Sequence, residues 1–211
     1  MTFAPTAHFF EWILFLIDIM VLHIALFGTS ADPPTYGHLE ILTWLSKRYD
    51  RTAVWASDNP FKRDQTPLGD RTEMLRLLVT LSGQSLERLQ VYPELSDPRT
   101  IITYDRAAKI WPNAKFTFVL GADLLPQLPT WYQAKELLEA VDLLVVPRSG
   151  YQILDSAIDT IKALGGTLEI ANLITPDVSS SAYRYDMAPN TVPTLVQSYI
   201  QQQELYPCPV L

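Results

Sequence analysis

The chain has 211 residues, 48% of them hydrophobic and 18% charged, with a formal net charge of −7. That size and apolar content suit one α/β domain with a full core, and the acidic balance excludes a general nucleic-acid binder, which needs a basic surface. The single cysteine, Cys208, allows neither a disulfide framework nor a cysteine-based zinc site, and points to a reducing, cytoplasmic location.

Residues 9–27 are strongly apolar, but Glu11, Asp18 and His23 interrupt them, and the first basic residue is Lys47. A carboxylate at mid-membrane is costly, and the basic segment of a secretory leader is missing. The stretch is therefore not read as a membrane anchor. Residues 1–19 are read as an extension or a mis-assigned start, and 20–211 as a single domain. A first buried strand falls at 21–27. A helix follows at 37–49, where Leu39, Leu42, Leu45 and Tyr49 recur at three- and four-residue spacing. Residues 53–56 form a second strand and 58–69 a loop rich in Asn, Pro and Gly. Asp70 is placed as the cap of a helix through Leu81. A strand at 89–92 and a helix at 103–111 come next, the helix stopped by Pro112-Asn113. Residues 116–121 and 143–147 are apolar enough to be fully buried strands, with a helix at 133–141 between them. A helix at 156–164 closes on Gly165-Gly166, a last strand lies at 168–170, and Pro193 opens a C-terminal helix to Leu205. Strands alternate with helices, and several strands are apolar on both faces. This is the pattern of a doubly wound α/β protein, a parallel sheet with helices on both faces.

Ligands of such sheets bind at the carboxyl ends of the strands, near the point where strand order reverses. Gly28-Thr29-Ser30 and Gly121-Ala122-Asp123 both sit at such ends. After Gly28 the chain passes Asp32-Pro33-Pro34, a rigid bend, and reaches Gly37-His38 at a helix start. There His38 can donate to a phosphate oxygen beside backbone amides. A second polar loop, Ser179-Ser180-Ser181, precedes Arg184; its hydroxyls and amides suit phosphate oxygens, and Arg184 can bind them bidentately. On their own, these serines could equally be helix caps. Asp123 has the same alternative. Lys62, Arg71 and Arg148 are candidates for anionic substrate groups, against solvated surface roles. Trp131 can stack on a planar ring or simply pack beside Pro129. Thr100 and Thr103 can bind a carboxylate or cap a helix.

Taken in order, these segments resemble the nucleotidyltransferase superfamily with a His-x-Gly-His signature. More narrowly, the chain resembles bacterial nicotinate-nucleotide adenylyltransferase over about residues 22–206. The resemblance rests on Asp32-Pro33-Pro34 with Gly37-His38, on Lys62, on Arg71 with Met74, on Thr100–Thr103, and on Gly121-Ala122-Asp123. Trp131, Arg148, Val178–Arg184 and the terminal Val192-Pro193, Tyr199-Ile200 and Leu205-Tyr206 complete it. It implies a Rossmann-like fold and adenylyl transfer from ATP to nicotinate mononucleotide, giving deamido-NAD and pyrophosphate. Mg²⁺ would be held mostly by the nucleotide phosphates. It implies ATP contacts at Gly28, Thr29, Ser30, Thr35 and His38 on the first loop, at Gly121 and Asp123, and at Ser179, Ser180, Ser181 and Arg184. His38 and Arg184 would carry the catalysis. Lys62, Arg71, Thr100, Thr103, Trp131 and Arg148 would bind the acceptor. Thr35 departs from the family, which has a second His there; a threonine hydroxyl donates one hydrogen bond but never becomes cationic. Another acceptor (nicotinamide mononucleotide or phosphopantetheine) and a non-catalytic nucleotide binder stay open as alternatives. So does a homo-oligomer.

Overall fold

In the computed structural model the described residues are 21–206, except 60, 61, 63, 187 and 189. The expectations for residues 1–19 and for Cys208 lie outside them.

Strand β1 (His23–Thr29) shows why the sheet must be covered twice. Ala25 and Phe27 enter one hydrophobic core, while Ile24 and Leu26 enter another. Successive strand residues face opposite sides, so an apolar run buries both faces only if each is roofed by helices. The first roof carries Leu42 and Leu45 of α1 (Tyr36–Arg48), Met74, Leu75 and Leu78 of α2 (Leu68–Leu81), and Val196 and Ile200 of a C-terminal helix. The second carries Ile101 and Ala107 of α3 (Thr100–Ile110), Leu137 and Leu138 of α4 (Ala134–Ala140), and Ile161 of α5 (Asp155–Ala163).

Five further strands complete the sheet: β2 (Arg51–Ala56), β3 (Leu89–Val91), β4 (Lys115–Gly121), β5 (Asp142–Val146) and β6 (Thr167–Ile170). The order is β3-β2-β1-β4-β5-β6, and every pairing is parallel. The chain thus builds outward from β1, then returns to its other side, which makes the β1/β4 boundary the switch point. Register opens that boundary. Pairing of β1 with β4 ends at Leu26 opposite Phe118, while β1 runs on to Thr29 and β4 to Gly121. Two helices, α6 (Ser180–Asp186) and α7 (Thr194–Gln202), finish the described chain.

Several boundaries differ from the sequence expectation, three helix ends among them by two or three residues. Helix α3 starts at Thr100 rather than 103, because Asp97 accepts the Arg99 backbone N–H at 3.0 Å and turns the chain into the helix early. Helix α2 starts at Leu68, after Pro67, so Asp70 lies in its first turn instead of capping it. The Asp70 carboxylate accepts the Tyr199 hydroxyl at 2.8 Å, which docks α7 on α2. Helix α7 ends at Gln202, short of Leu205. Trp55 and Trp111 are buried, and Trp44 packs against the first core. Among the described residues no helix is long and apolar enough to cross a membrane.

Candidate active site

A cleft of about 560 Å³ occupies the switch point, at the carboxyl ends of β1 and β4. A second cavity of about 410 Å³ lies at the opposite end of the sheet, by His23, Asp142 and Thr167, the first residues of their strands. The cleft at the carboxyl ends is where doubly wound sheets bind ligands, and most of the predicted residues converge there.

His38 is its centre. The residue is the third of α1, and Thr35 is the cap. The Thr35 backbone N–H donates to His38 Nδ1 at 3.1 Å, and the Thr35 hydroxyl lies 2.9 Å from the same nitrogen. A backbone N–H can only donate, so Nδ1 is an acceptor and the proton of the neutral ring sits on Nε2. Nε2 is 2.9 Å from Thr29 Oγ1, at the end of β1. Burial, then the nearby positive charges of Arg148 and Lys62, lower the His38 pKa to about 4. The ring therefore stays neutral at physiological pH, with its one N–H directed at Thr29 Oγ1 on the cleft wall. Thr35 itself is buried at 1% exposure. It lines the cleft, and its hydroxyl holds His38 Nδ1.

Cations surround this N–H. Lys62 Nζ donates to Ser30 Oγ at 2.6 Å. Partial burial of its ammonium lowers the Lys62 pKa, opposed by Asp123 and assisted by Arg184 and Arg148. Arg148 Nη1 donates to Asp123 Oδ2 at 2.9 Å, bridging the β5 and β4 exits. Arg184, on α6, donates to the Asp32 carbonyl, and its other nitrogen reaches Ser181 Oγ at 3.4 Å. Ser179 accepts the Ala182 backbone N–H at 3.0 Å, a capping role, and Ser180 Oγ donates to the Pro33 carbonyl at 2.8 Å. That bond fastens the serine loop to the Asp-Pro-Pro bend. Two glycines allow close packing here. A Cβ on Gly28 would come within 2.6 Å of the Trp55 indole, and one on Gly121 within 2.5 Å of Asp123 Oδ1.

Gly28, Thr29, Ser30, Lys62, Gly121, Asp123, Arg148, the three serines and Arg184 thus share one cleft with His38 and Thr35. Arg71, Thr100, Thr103 and Trp131 do not line it. Arg71 is 2% exposed, and its guanidinium donates to the carbonyls of Thr66, Ser30 and Ser57 at 2.8, 3.0 and 2.8 Å. Its donors tie three loops together. The Thr103 hydroxyl is buried and donates to the Leu95 carbonyl at 2.8 Å, while Thr100 opens α3. Trp131 is half-buried and packs edge-on against Phe118, with ring centres 6.1 Å apart. Sequence reasoning missed Gln65, which lines the cleft with a buried amide nitrogen that has no hydrogen-bond partner. A lone Gln in a predicted loop carries no local signal of this.

Among the described residues no three His, Cys, Asp or Glu side chains gather to hold a metal ion. Two of the cleft's three carboxylates are already engaged, Asp123 by Arg148 and Asp32 by Tyr206. This suits a divalent ion that arrives on its ligand's phosphates and needs no protein cage.

A cleft of backbone amides, hydroxyls, three cations and a neutral imidazole at a strand-order switch suits phosphate handling. The cytidylyltransferase-like family model matches residues 26–185. A Synechocystis sp. protein named "Probable nicotinate-nucleotide adenylyltransferase" is 45% identical, over 88% of this chain and 99% of that one. The chain belongs to the nicotinate-nucleotide adenylyltransferase family. A Bacillus cytotoxicus protein of the same name is 33% identical, over 87% of this chain and 97% of its own length. The fold of these nucleotidyltransferases is shared with a solved structure titled "Plasmodium falciparum nicotinic acid mononucleotide adenylyltransferase complexed with NaAD". The TM-score is 0.75 at 20% identity, covering 88% of this chain and 97% of that one.

Proposed function

We infer that this protein transfers the adenylyl group of ATP to nicotinate mononucleotide, releasing pyrophosphate. The acceptor's 5′-phosphate oxygen attacks the α-phosphorus in line. A new P–O bond forms as the bond to the β-phosphate oxygen breaks, and the dinucleotide carries the new phosphoanhydride. The attacking oxygen is already ionised, so the chain needs no general base. It needs positioning and charge stabilisation.

The observation that carries this reading is the His38 geometry. With Nδ1 held by Thr35, Nε2–H is a fixed donor that needs no reorientation when charge develops on the α-phosphate. Lys62, Arg148 and Arg184 supply the positive field, and Arg184 with Ser181 takes the departing pyrophosphate. Asp123 accepts from a ribose hydroxyl, and Gly28 to Ser30 bring backbone close to the nucleotide. Mg²⁺ enters as part of the ATP complex and offsets phosphate charge. The unpaired Gln65 amide and Lys62 stand on the β2 side of the cleft, where they suit the acceptor's anionic groups. The names of the similar proteins support nicotinate mononucleotide as that acceptor.

The test is a coupled assay with MgATP and nicotinate mononucleotide, following pyrophosphate and dinucleotide together. Equal amounts of both are expected. His38→Ala should lower kcat by about 10²–10³-fold, the usual cost of losing one donor to transition-state charge. Hydrolysis of ATP without dinucleotide, or an unaffected His38→Ala enzyme, would overturn the reading.

A further inference from the structure

The C-terminal end of the described chain reaches back into the phosphate site. Tyr206 Oη donates to Asp32 Oδ1 at 2.6 Å, across 174 residues of sequence. Asp32 is 4% exposed. Its other carboxylate oxygen, Oδ2, lies 3.9 Å from Arg184 Nη1, while that same guanidinium nitrogen is bonded to the Asp32 backbone carbonyl. The Tyr206 ring packs edge-on against Tyr183 of α6, one residue before Arg184, with centroids 6.1 Å apart. Burial, and then the bond to Asp32, hold the Tyr206 phenol well above its usual pKa, so it remains a donor throughout the working pH range.

A buried carboxylate must be balanced by donors or cations. Two groups touch the Asp32 carboxylate directly, the Tyr206 hydroxyl and the Arg184 guanidinium, while the charges of Lys62 and Arg71 act on it from farther off. The hydroxyl satisfies one oxygen and leaves the guanidinium at the edge of ion-pair distance from the other. Were the hydroxyl absent, the carboxylate would draw in Arg184, the cation already at ion-pair distance, to form a full ion pair. Arg184 would then turn from the cleft toward Asp32. We propose that Tyr206 is a positioning residue for Arg184, occupying Asp32 so that the guanidinium stays available to the leaving pyrophosphate. The inference rests on the reading of Arg184 as the pyrophosphate-binding arginine.

The test measures binding of magnesium pyrophosphate by calorimetry to the wild type, Tyr206→Phe and the double variant Tyr206→Phe/Asp32→Asn. Phenylalanine keeps the ring against Tyr183 and removes only the hydroxyl. Its affinity for pyrophosphate should fall about tenfold, the scale of one charge-assisted hydrogen bond. KM for ATP should rise in parallel, with KM for the acceptor within about twofold of wild type. Neutralising Asp32 removes the group that captures Arg184, so the double variant should recover most of the lost affinity. A purely structural role predicts the opposite, a further loss in the double variant. The proposal is overturned if Tyr206→Phe binds pyrophosphate like wild type, if the double variant fails to recover, or if the wild type binds no pyrophosphate. The measurement uses no acceptor. A wild type that binds pyrophosphate yet makes no dinucleotide would fault the acceptor assignment and leave this proposal standing.

Discussion

His38 illustrates how a side chain is given one task by its neighbours. Its backbone-held Nδ1 fixes the tautomer, and its low pKa fixes the charge. The same facts bear on stability. In the unfolded chain a histidine titrates near 6.5, and in the fold His38 titrates near 4. Between those values the unfolded chain binds a proton that the folded chain refuses, so stability rises with pH across the window. It is lost as pH falls from about 6.5 to about 4 and is complete above 7. A Tm-versus-pH series should therefore be less steep over that window for His38→Gln than for wild type; equal slopes would contradict the lowered pKa that burial gives His38. Gly121 makes a second residue-scale case. An added Cβ there meets the Asp123 carboxylate, the mobile end of a side chain, and no backbone. Gly121→Ala should thus displace Asp123 from Arg148, raising KM for ATP several-fold while Tm changes by only a few degrees. A large loss of Tm with unchanged KM would place the glycine's role in folding instead.

Elements meet at the cleft because loops are pinned from below. Arg71 projects from α2 and holds carbonyls of the β1 exit, the β2 exit and the segment before its own helix. Arg71→Met keeps the bulk but leaves three polar groups without their donor. The expected cost is about 3 kcal/mol, which for a chain of this size lowers Tm by roughly 6–12 °C. Thermal unfolding with and without ATP checks this, and a variant of normal Tm with a selectively raised KM for the acceptor would restore Arg71 to a substrate role. At this scale the sequence was readable in outline. Apolar runs located β1, β2, β4 and β5 to within two residues, because burial on both faces leaves a continuous apolar signature. Helix α3 was misplaced at its start because a single Asp97 side chain, and no periodicity, sets it. The destination of Arg71 was illegible for a similar reason. An arginine inside an amphipathic helix looks alike whether its head meets water or three carbonyls.

Across the whole molecule, charge is unevenly placed: an acidic chain brings three cations to its cleft, where they offset Asp32, Asp64 and Asp123. The chain carries −7 overall, yet its cleft gathers Lys62, Arg148 and Arg184 around His38. The order of strands makes this possible. The exits of β1, β2, β4 and β5 converge at one switch point, and the serine loop before α6 closes it from the far end of the sequence. The short motifs were legible because each compresses a strand end and a helix start into a few residues. The Tyr206–Asp32 bond was not, since contacts over such separations leave no spacing to read. The account's central claim concerns the acceptor, and a competition assay tests it most directly. The full chain is given MgATP with nicotinate and nicotinamide mononucleotides at equal concentration, and both dinucleotide products are quantified. Deamido-NAD should form first and in excess, matched by pyrophosphate and abolished by His38→Ala. An excess of the amide product, or no dinucleotide from a folded protein that binds ATP, would contradict it.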